Sequence, residues 1–213
     1  MLSTTLFALC ALFSTTYAAP IKRTNTITAA DIISIDPKTS SCANAPVAGQ
    51  CRTAEQAAPL VDISFTNFGI ADFNSQAALV ALMLYESGDF QYSTNIYPGI
   101  AGQGTRNMQN PEDNLAYAEF LSTTCTNCGI TSAQVQEAEA EGPAAVLDLV
   151  NTDEWSFGSA AWFLTTQCGE SVQQGLAAGT QTGWENYLTE CLRATVNDER
   201  NQLWSAAMAL KEW

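Results

Sequence analysis

The stretch ALVALMLYESGDFQYSTNIYPGIAGQGTRNMQ, residues 78–109, joins an apolar segment to a glycine-rich loop. From Ala77 to Tyr85 no residue is charged, and a helix that is apolar on every face is usually buried. Glu86 follows this run directly, and glycines and prolines recur from residue 88 onwards. The stretch therefore predicts a buried helix with a carboxyl at its end, followed by a small irregular or β-hairpin lobe.

Helix-capping signals predict that most of the remaining chain is helical. A capping box begins at Thr53, and Asn110 precedes a proline at the first helical position. We expect Asn74 or Ser75 to cap the apolar helix and a second capping box to begin at Thr182. The predicted fold class is mainly α: one helical domain, large enough to bury a core.

The amino terminus predicts a secreted, extracellular protein. Residues 1–18 have the short apolar core and small-residue end of a signal peptide. Residues 19–23 end in Lys22-Arg23, a dibasic site that resembles the maturation sites of fungal secreted proteins. We therefore expect residues 24–213 to form the mature domain.

Six cysteines remain after Cys10 leaves with the leader, and an even number in a secreted chain predicts disulfides. We favour pairs that close local loops: Cys42–Cys51, Cys125–Cys128 and Cys168–Cys191. The alternative is a zinc site that combines CTNC with the last two cysteines, but it lacks a second close pair.

Charge and composition exclude several functions. The formal net charge of −14 argues against nucleic-acid binding through phosphates, and no segment after the leader is long enough to span a membrane. The chain has no histidine, so Ser-His-Asp triads and HExxH zinc sites are excluded. We expect no metal, no cofactor and a monomer, and carboxylates are the natural acid–base groups.

Glu86 is the leading candidate for such a group. Apolar neighbours raise the pKa of a carboxyl, and a protonated carboxyl can give its proton to a leaving oxygen. The loop that follows supplies side chains suited to a neutral, hydroxyl-rich ligand: Tyr92, Tyr97, Gln103, Asn107 and Gln109. The alternative is that Glu86 only ends a core helix and pairs with Arg106.

The same residues resemble a known catalytic motif. ESGDF followed by GIAGQGTRNMQ is similar to the E-S-x-F and S-x-x-G-A-x-G-L-M-Q segments of lytic transglycosylases and goose-type lysozymes, in the lysozyme-like superfamily. Asp89 is one extra residue, and Arg106 or Asn107 stands where glycine and leucine are usual. SFGSAAWFLTTQC, from Ser156, resembles the buried helix of lysozyme-like and family 19 chitinase-like folds.

The resemblance implies an α+β lysozyme-like fold and a muramidase that cleaves β-1,4 bonds of peptidoglycan, with a polysaccharide as partner. Glu86 would be the general acid, and Gln109 would contact the substrate. Most glycosidases use two carboxyls, and Asp89, Asp113 and Asp72 are the acids near Glu86. The resembled family often works with one glutamate, so we expect Glu86 to act alone, with Asp89 as the candidate for a second carboxyl. Tyr117 would line the cleft.

The acidic charge of the chain leaves two alternatives open, since an anionic protein is repelled by an anionic cell wall. One is a chitinase or chitosanase on the same fold. The other is a non-catalytic secreted protein that binds carbohydrate or interacts with a host.

Overall fold

The computed structural model describes residues 26–47, 49–125 and 128–213. The expected signal peptide and dibasic site lie outside these residues. Within them the chain is mainly helical, as predicted. The α-helices are α1 (Ala29–Ile35), α2 (Ala54–Asn67), α3 (Phe73–Glu86), α4 (Pro111–Thr124), α5 (Ser132–Glu141), α6 (Pro143–Val150), α7 (Asp153–Gln167), α8 (Glu170–Ala177), α9 (Gln181–Asn186) and α10 (Asp198–Met208). A 3-10 turn covers Pro37–Ser40, and a π-helical turn covers Tyr187–Cys191.

Helix α3 lies at the centre of the larger hydrophobic core, as its sequence predicts. Every residue from Ser75 to Leu84 is buried, and α10, α8 and α7 pack against the helix. Burial of apolar side chains stabilises a fold by about 25 cal/mol for each Å² removed from water. This packing fixes the position and direction of Glu86 at the last turn.

A second core cluster lies among α4, α5, α6 and the first part of α7. Tyr117, Trp155 and Trp162 are its large members, and the rings of Tyr117 and Trp162 have centroids 4.7 Å apart. The loop between α3 and α4 joins the two clusters, so it is held on both sides.

The three favoured disulfides are confirmed: Cys42–Cys51, Cys125–Cys128 and Cys168–Cys191. Zinc coordination by these cysteines is therefore excluded. Three disulfides agree with an oxidising compartment. Among the described residues, no helix combines the length and the apolar character needed to cross a membrane.

Two predicted helix starts are wrong by a few residues. Asp72, not Asn74 or Ser75, caps α3, because its carboxylate accepts from the Ser75 N–H at 2.7 Å. Helix α9 is capped by Thr180, not Thr182. The capping box that begins at Thr53 is confirmed.

The expected β-hairpin after α3 is reduced to isolated bridges that join Thr94 with Gly104 and Gly104 with Gln109. Side-chain hydrogen bonds take the place of a strand ladder. The Asn95 amide donates to Gln103 Oε1 at 2.7 Å, and Asn95 Oδ1 accepts from the Gly99 N–H at 2.8 Å. The predicted irregular lobe is therefore correct, and side-chain hydrogen bonds add to the few backbone hydrogen bonds that order it.

Candidate functional site

The carboxyl end of α3 is closed by Ser87. Its hydroxyl donates to the Met83 carbonyl at 2.6 Å and accepts from the Phe90 N–H at 3.0 Å. Ser87 is fully buried, so its hydroxyl is used within the backbone. Glu86, the residue before it, faces the cleft that begins here.

Glu86 pairs with Arg200 of α10. Arg200 Nη2 donates to Glu86 Oε1, and Arg200 Nη1 donates to the Thr195 carbonyl at 2.8 Å. The guanidinium also lies over the Tyr85 ring, 4.0 Å from its centroid. The suggested pairing of Glu86 with Arg106 is therefore wrong, since a guanidinium 114 residues away in sequence takes that place.

Two hollows meet at Glu86. The polar hollow, of about 230 Å³, is lined mainly by Glu86, Gln103, Asn107, Gln109, Asp113, Leu192, Arg193 and Arg200. The aromatic hollow, of about 340 Å³, is lined by Glu86, Tyr92, Thr94, Asn95, Ile96, Tyr97 and Met108. Glu86 and Met108 line both. The carboxyl thus stands at the junction of two different environments.

Burial sets the electrostatics of this junction. The Glu86 side chain is 20% exposed, and its burial raises the pKa of the carboxyl, while the hydrogen bond and charge of Arg200 act in the opposite direction. Burial, and the nearby charge of Glu86, also raise the pKa of the Tyr187 hydroxyl. Glu86 therefore holds its proton more tightly than a free glutamate does.

A chain of amides shapes the polar hollow. The Asn107 amide donates to Gln109 Oε1 at 3.2 Å, and Gln109 Nε2 donates to Asn114 Oδ1 at 2.9 Å. Asn114 Nδ2 donates to the Gly102 carbonyl at 2.8 Å. Because each amide is oriented by the next, the Gln109 side chain is fixed before any ligand arrives.

The structure brings together most of the predicted site residues. Gln103 and Gln109 line the polar hollow, and Tyr92 and Tyr97 line the aromatic hollow. Their roles in binding or catalysis stay predictions. Tyr117 is not among them, because it is fully buried and donates its hydroxyl to the Trp155 carbonyl.

Asp89 does not join Glu86 in the cleft. It adopts a left-handed backbone conformation, with φ of 62°, and its carboxylate pairs with Lys38 Nζ at 2.9 Å. It lines neither hollow. The reason is geometric: the tight turn after α3 directs residue 89 towards the amino-terminal segment.

Arg106 supports the loop that lines the aromatic hollow. Its Nη1 donates to the carbonyls of Phe90 at 2.9 Å and Tyr92 at 2.8 Å, and its Nη2 donates to the Gln50 carbonyl. Burial lowers the pKa of the guanidinium to about 10. A buried arginine thus lies near the position where the resembled motif has glycine. The loop of this chain is therefore anchored by a side chain that the motif does not have.

The carboxy-terminal side of the cleft was not predicted from the sequence. Leu192, Arg193 and Arg200 lie far from Glu86 in sequence and belong to no motif. The available signal was charge: the chain has eight Lys and Arg residues, and two arginines fall between residues 193 and 200. Cations so close together in an acidic chain indicate partners for carboxylates.

No protein-family model and no solved structure matches the chain. A protein of Fusarium oxysporum named as a bifunctional dioxygenase–epoxy alcohol synthase is 44% identical over 138 residues. The match covers 64% of this chain and 11% of that protein. The chain thus spans about a tenth of the length of the curated relative.

This comparison overturns the functional prediction. The relative is named for dioxygenase and epoxy alcohol synthase activities, not for cleavage of glycosidic bonds, so the predictions of a muramidase and of a glycoside hydrolase are wrong. The chitinase and chitosanase alternatives are glycoside hydrolases on the same fold and are withdrawn with it. The activity inferred from the resemblance was wrong because a helix-end glutamate before a glycine-rich loop is a short pattern, and Arg106 gives that loop a different anchor.

Proposed function

We propose that the cleft binds an oxygenated aliphatic molecule, and that the Glu86 carboxyl donates a hydrogen bond to an oxygen of this ligand. The observation that carries the proposal is the position of Glu86 where the polar hollow meets the aromatic hollow. A ligand with oxygen atoms beside an apolar tail would fill both. Epoxy alcohols, the class in the name of the relative, have this character.

The aromatic hollow offers the apolar tail an accessible surface. Tyr97 is 91% exposed and Ile96 is 52% exposed, and Met108 lines both the aromatic and the polar hollow. Covering such side chains releases free energy in proportion to the apolar area removed from water. The tail therefore supplies affinity, and the oxygen at Glu86 supplies orientation.

The donor atoms of the chain do not fit a metal centre for oxygen chemistry. Enzymes that activate O₂ commonly use haem, flavin, copper or iron, and the metals among these are held mostly by His, Cys or carboxylates. The sequence has no histidine. The six cysteines among the described residues are in disulfides, and no group of three potential ligands occurs there. We assign no oxidation step to this chain.

The chain is thus a ligand-binding module of the kind that can accompany an oxidising enzyme. The matched segment is a small part of the relative, which leaves most of that protein for the activities in its name. A module that binds an oxygenated product or substrate beside such activities needs no metal of its own.

A second candidate function follows from the raised pKa of Glu86. A protonated carboxyl can give its proton to an oxirane oxygen as the carbon–oxygen bond breaks. Water then attacks the carbon, and its proton returns to Glu86, so that the product is a diol. Glu86→Gln would stop this step, whereas binding would persist, because the amide still donates a hydrogen bond.

Calorimetric titration with epoxydecanol, the epoxide of an allylic ten-carbon alcohol, tests the proposal. We expect binding to the wild type and to Glu86→Gln, and at least about tenfold weaker binding to Glu86→Leu, which is about 1.4 kcal/mol. Glu137→Leu, a change at an exposed residue of α5, is the matched control. Absence of binding to the wild type, or equal binding to Glu86→Leu, would overturn the proposal. Mass spectrometry of the same samples detects a diol.

Two finer predictions stay proposals. A lysozyme-like arrangement is supported by a glutamate at the end of a buried helix that faces the loop 103–109. An experimental structure compared with that superfamily tests it.

Secretion is supported by three disulfides. Amino-terminal sequencing of protein recovered from culture medium tests it, with Thr24 as the expected first residue. Polysaccharide binding and a monomeric state also stay predictions.

A further inference from the structure

We infer that Arg193 makes the cleft selective for ligands that carry a carboxylate, so that the preferred ligand is an oxygenated aliphatic acid. This inference rests on the proposed function. It adds a third point of recognition, after the apolar tail in the aromatic hollow and the oxygen at Glu86. The third point lies in the polar hollow, which Arg193 lines.

The charge of Arg193 is not used within the described part of the chain. Ion pairs there join Lys38 with Asp89, Arg52 with Asp153, and Arg200 with Glu86. The side chain of Arg193 has neither a hydrogen-bond acceptor nor an ion-pair partner among the same residues. A planar guanidinium with free N–H groups at a cleft is suited to bind a carboxylate with two parallel hydrogen bonds.

The backbone around Arg193 is held in an unusual conformation. Its φ is 54°, a left-handed value that is uncommon for residues other than glycine and that persists only where the surroundings enforce it. The Ala194 N–H donates to the Leu188 carbonyl at 2.8 Å, and the Cys168–Cys191 disulfide ties the preceding turn to the end of α7. These contacts thus fix the backbone from which the Arg193 side chain extends.

Asp113 is, with Glu86, one of the two acidic residues that line the polar hollow beside Arg193. It lies at the start of α4, and the charge of Arg193 lowers the pKa of its carboxyl against a larger opposite effect of burial. The two side chains form no ion pair within 4.0 Å among the described contacts. Arg193 is therefore near a carboxylate without being neutralised by it, and a ligand carboxylate can take the direct contact.

Because the chain is strongly acidic, a ligand with a carboxylate needs the positive charge of Arg193. A chain of formal charge −14 repels anions over distances of about 10 Å at moderate salt. An anionic ligand would therefore bind more weakly than its neutral ester unless a local cation reversed the preference. The terminal nitrogens of Arg200 already donate to Thr195 and Glu86, which leaves Arg193 as the cation of the polar hollow whose donors are free to bind the ligand.

Titration with β-hydroxydecanoic acid and with its methyl ester tests the inference. The two ligands share the tail and the hydroxyl and differ in charge. We expect the wild type to bind the acid about fivefold to tenfold more tightly than the ester, and high salt to reduce this preference. Arg193→Gln should bind the acid no more tightly than the ester, because the net charge of the chain then opposes the acid, and Arg193→Lys should restore part of the preference. Lys211→Gln removes the same charge from an exposed site outside the cleft and should leave the preference unchanged.

The outcomes separate this inference from the function on which it rests. If wild type binds acid and ester equally, or if Arg193→Gln keeps the preference, the role of Arg193 is wrong while ligand binding by the cleft stands. If neither ligand binds the wild type and epoxydecanol also fails, both are wrong. A preference lost equally in Lys211→Gln would show that net charge, not Arg193, decides the selectivity.

Discussion

Arg200 donates to the Glu86 carboxylate from the first turn of α10, and in doing so joins the two helices that form the centre of the main core. Removing charges from water costs free energy that an ion pair only partly recovers. The pKa of Glu86 stays raised because burial outweighs the attraction of Arg200. The cleft therefore contains a carboxyl whose pKa stays above its ordinary value although a cation is bound to it.

The first prediction concerns the titration of Glu86. In carbon-13 NMR of the labelled side-chain carboxyl, its midpoint should lie above the ordinary value of 4.5. In Arg200→Met the midpoint should rise further, because the hydrogen bond and the charge that favour ionisation are gone. A midpoint at or below the ordinary value in the wild type would contradict the conclusion that burial raises the pKa of Glu86.

The same substitution predicts a change in stability that depends on pH. In Arg200→Met the pKa of Glu86 is higher in the folded state than in the unfolded state. Protonation of Glu86 therefore stabilises the folded state in acid, and this stabilisation is lost as pH rises. At neutral pH a buried carboxylate then lacks its partner, and the free energy of unfolding should fall by about 3 kcal/mol. Urea denaturation should show a smaller loss at low pH than at neutral pH.

The second prediction concerns Arg106, which binds three carbonyls through one planar group. Arg106→Lys keeps the charge but cannot reach all three oxygens, so buried acceptors are left unpaired. The free energy of unfolding should fall by about 2–3 kcal/mol, and amide hydrogen exchange should accelerate in residues 90–93. Arg52→Lys is the control, because this partly exposed arginine also binds two carbonyls and a carboxylate but water can replace the lost contacts, so the change should cost about 1 kcal/mol or less. Equal losses in the two variants would contradict the anchoring role.

Local patterns predicted the helices and the disulfides well because the determining contacts are close in sequence. The capping box at Thr53 and the proline start of α4 each need only a few neighbouring residues. The apolar run before Glu86 likewise predicted a buried helix, and it is buried along its length. The favoured cysteine pairs were correct because each closes a local loop.

The cleft was only partly predictable, because some of its residues are distant from one another in sequence. Gln103, Gln109, Tyr92 and Tyr97 follow Glu86 in one loop and were expected beside it. Arg200 reaches the same carboxyl only after the chain has folded through six further helices, and no motif links it to Glu86. Asp89 shows the complementary error, because nearness in sequence does not bring it to the cleft when the turn directs it elsewhere.

The third prediction concerns the Cys168–Cys191 disulfide, which spans 23 positions. Replacing both cysteines by serine should lower the free energy of unfolding by about 3 kcal/mol, because the unfolded chain regains the freedom that the closed loop removed. The Cys42–Cys51 disulfide spans 9 positions, and its removal should cost about 1 kcal/mol less. Hydrogen exchange of residues 192–194 should rise only in the first variant. If both variants changed exchange there equally, the disulfide would have no special role at the cleft.

The fourth prediction concerns Asp36, whose carboxyl is buried between the amino-terminal segment and the turn after α3. Burial raises its pKa to about 6 from an ordinary 3.8, and a hydrogen bond with Asp89 adds to the rise, while the Lys38 backbone and charge oppose it. Because the folded pKa is above the unfolded one, the stability that protonation provides is complete below pH 3.8 and is lost as pH rises through about 6. The loss is up to about 3 kcal/mol.

Asp36→Asn should remove this dependence without removing the contacts. The asparagine oxygen can still accept from the Lys38 N–H, which Asp36 binds at 3.0 Å, and its amide can donate to Asp89 as the protonated acid does. The variant should match the wild type in urea denaturation at pH near 4 and exceed it by about 2 kcal/mol at pH near 7. Asp148→Asn, at an exposed position of α6, should follow the wild type at both values. A variant less stable than the wild type at neutral pH would mean that Asp36 is needed as a carboxylate partner of Lys38, and the assignment of its raised pKa would be wrong.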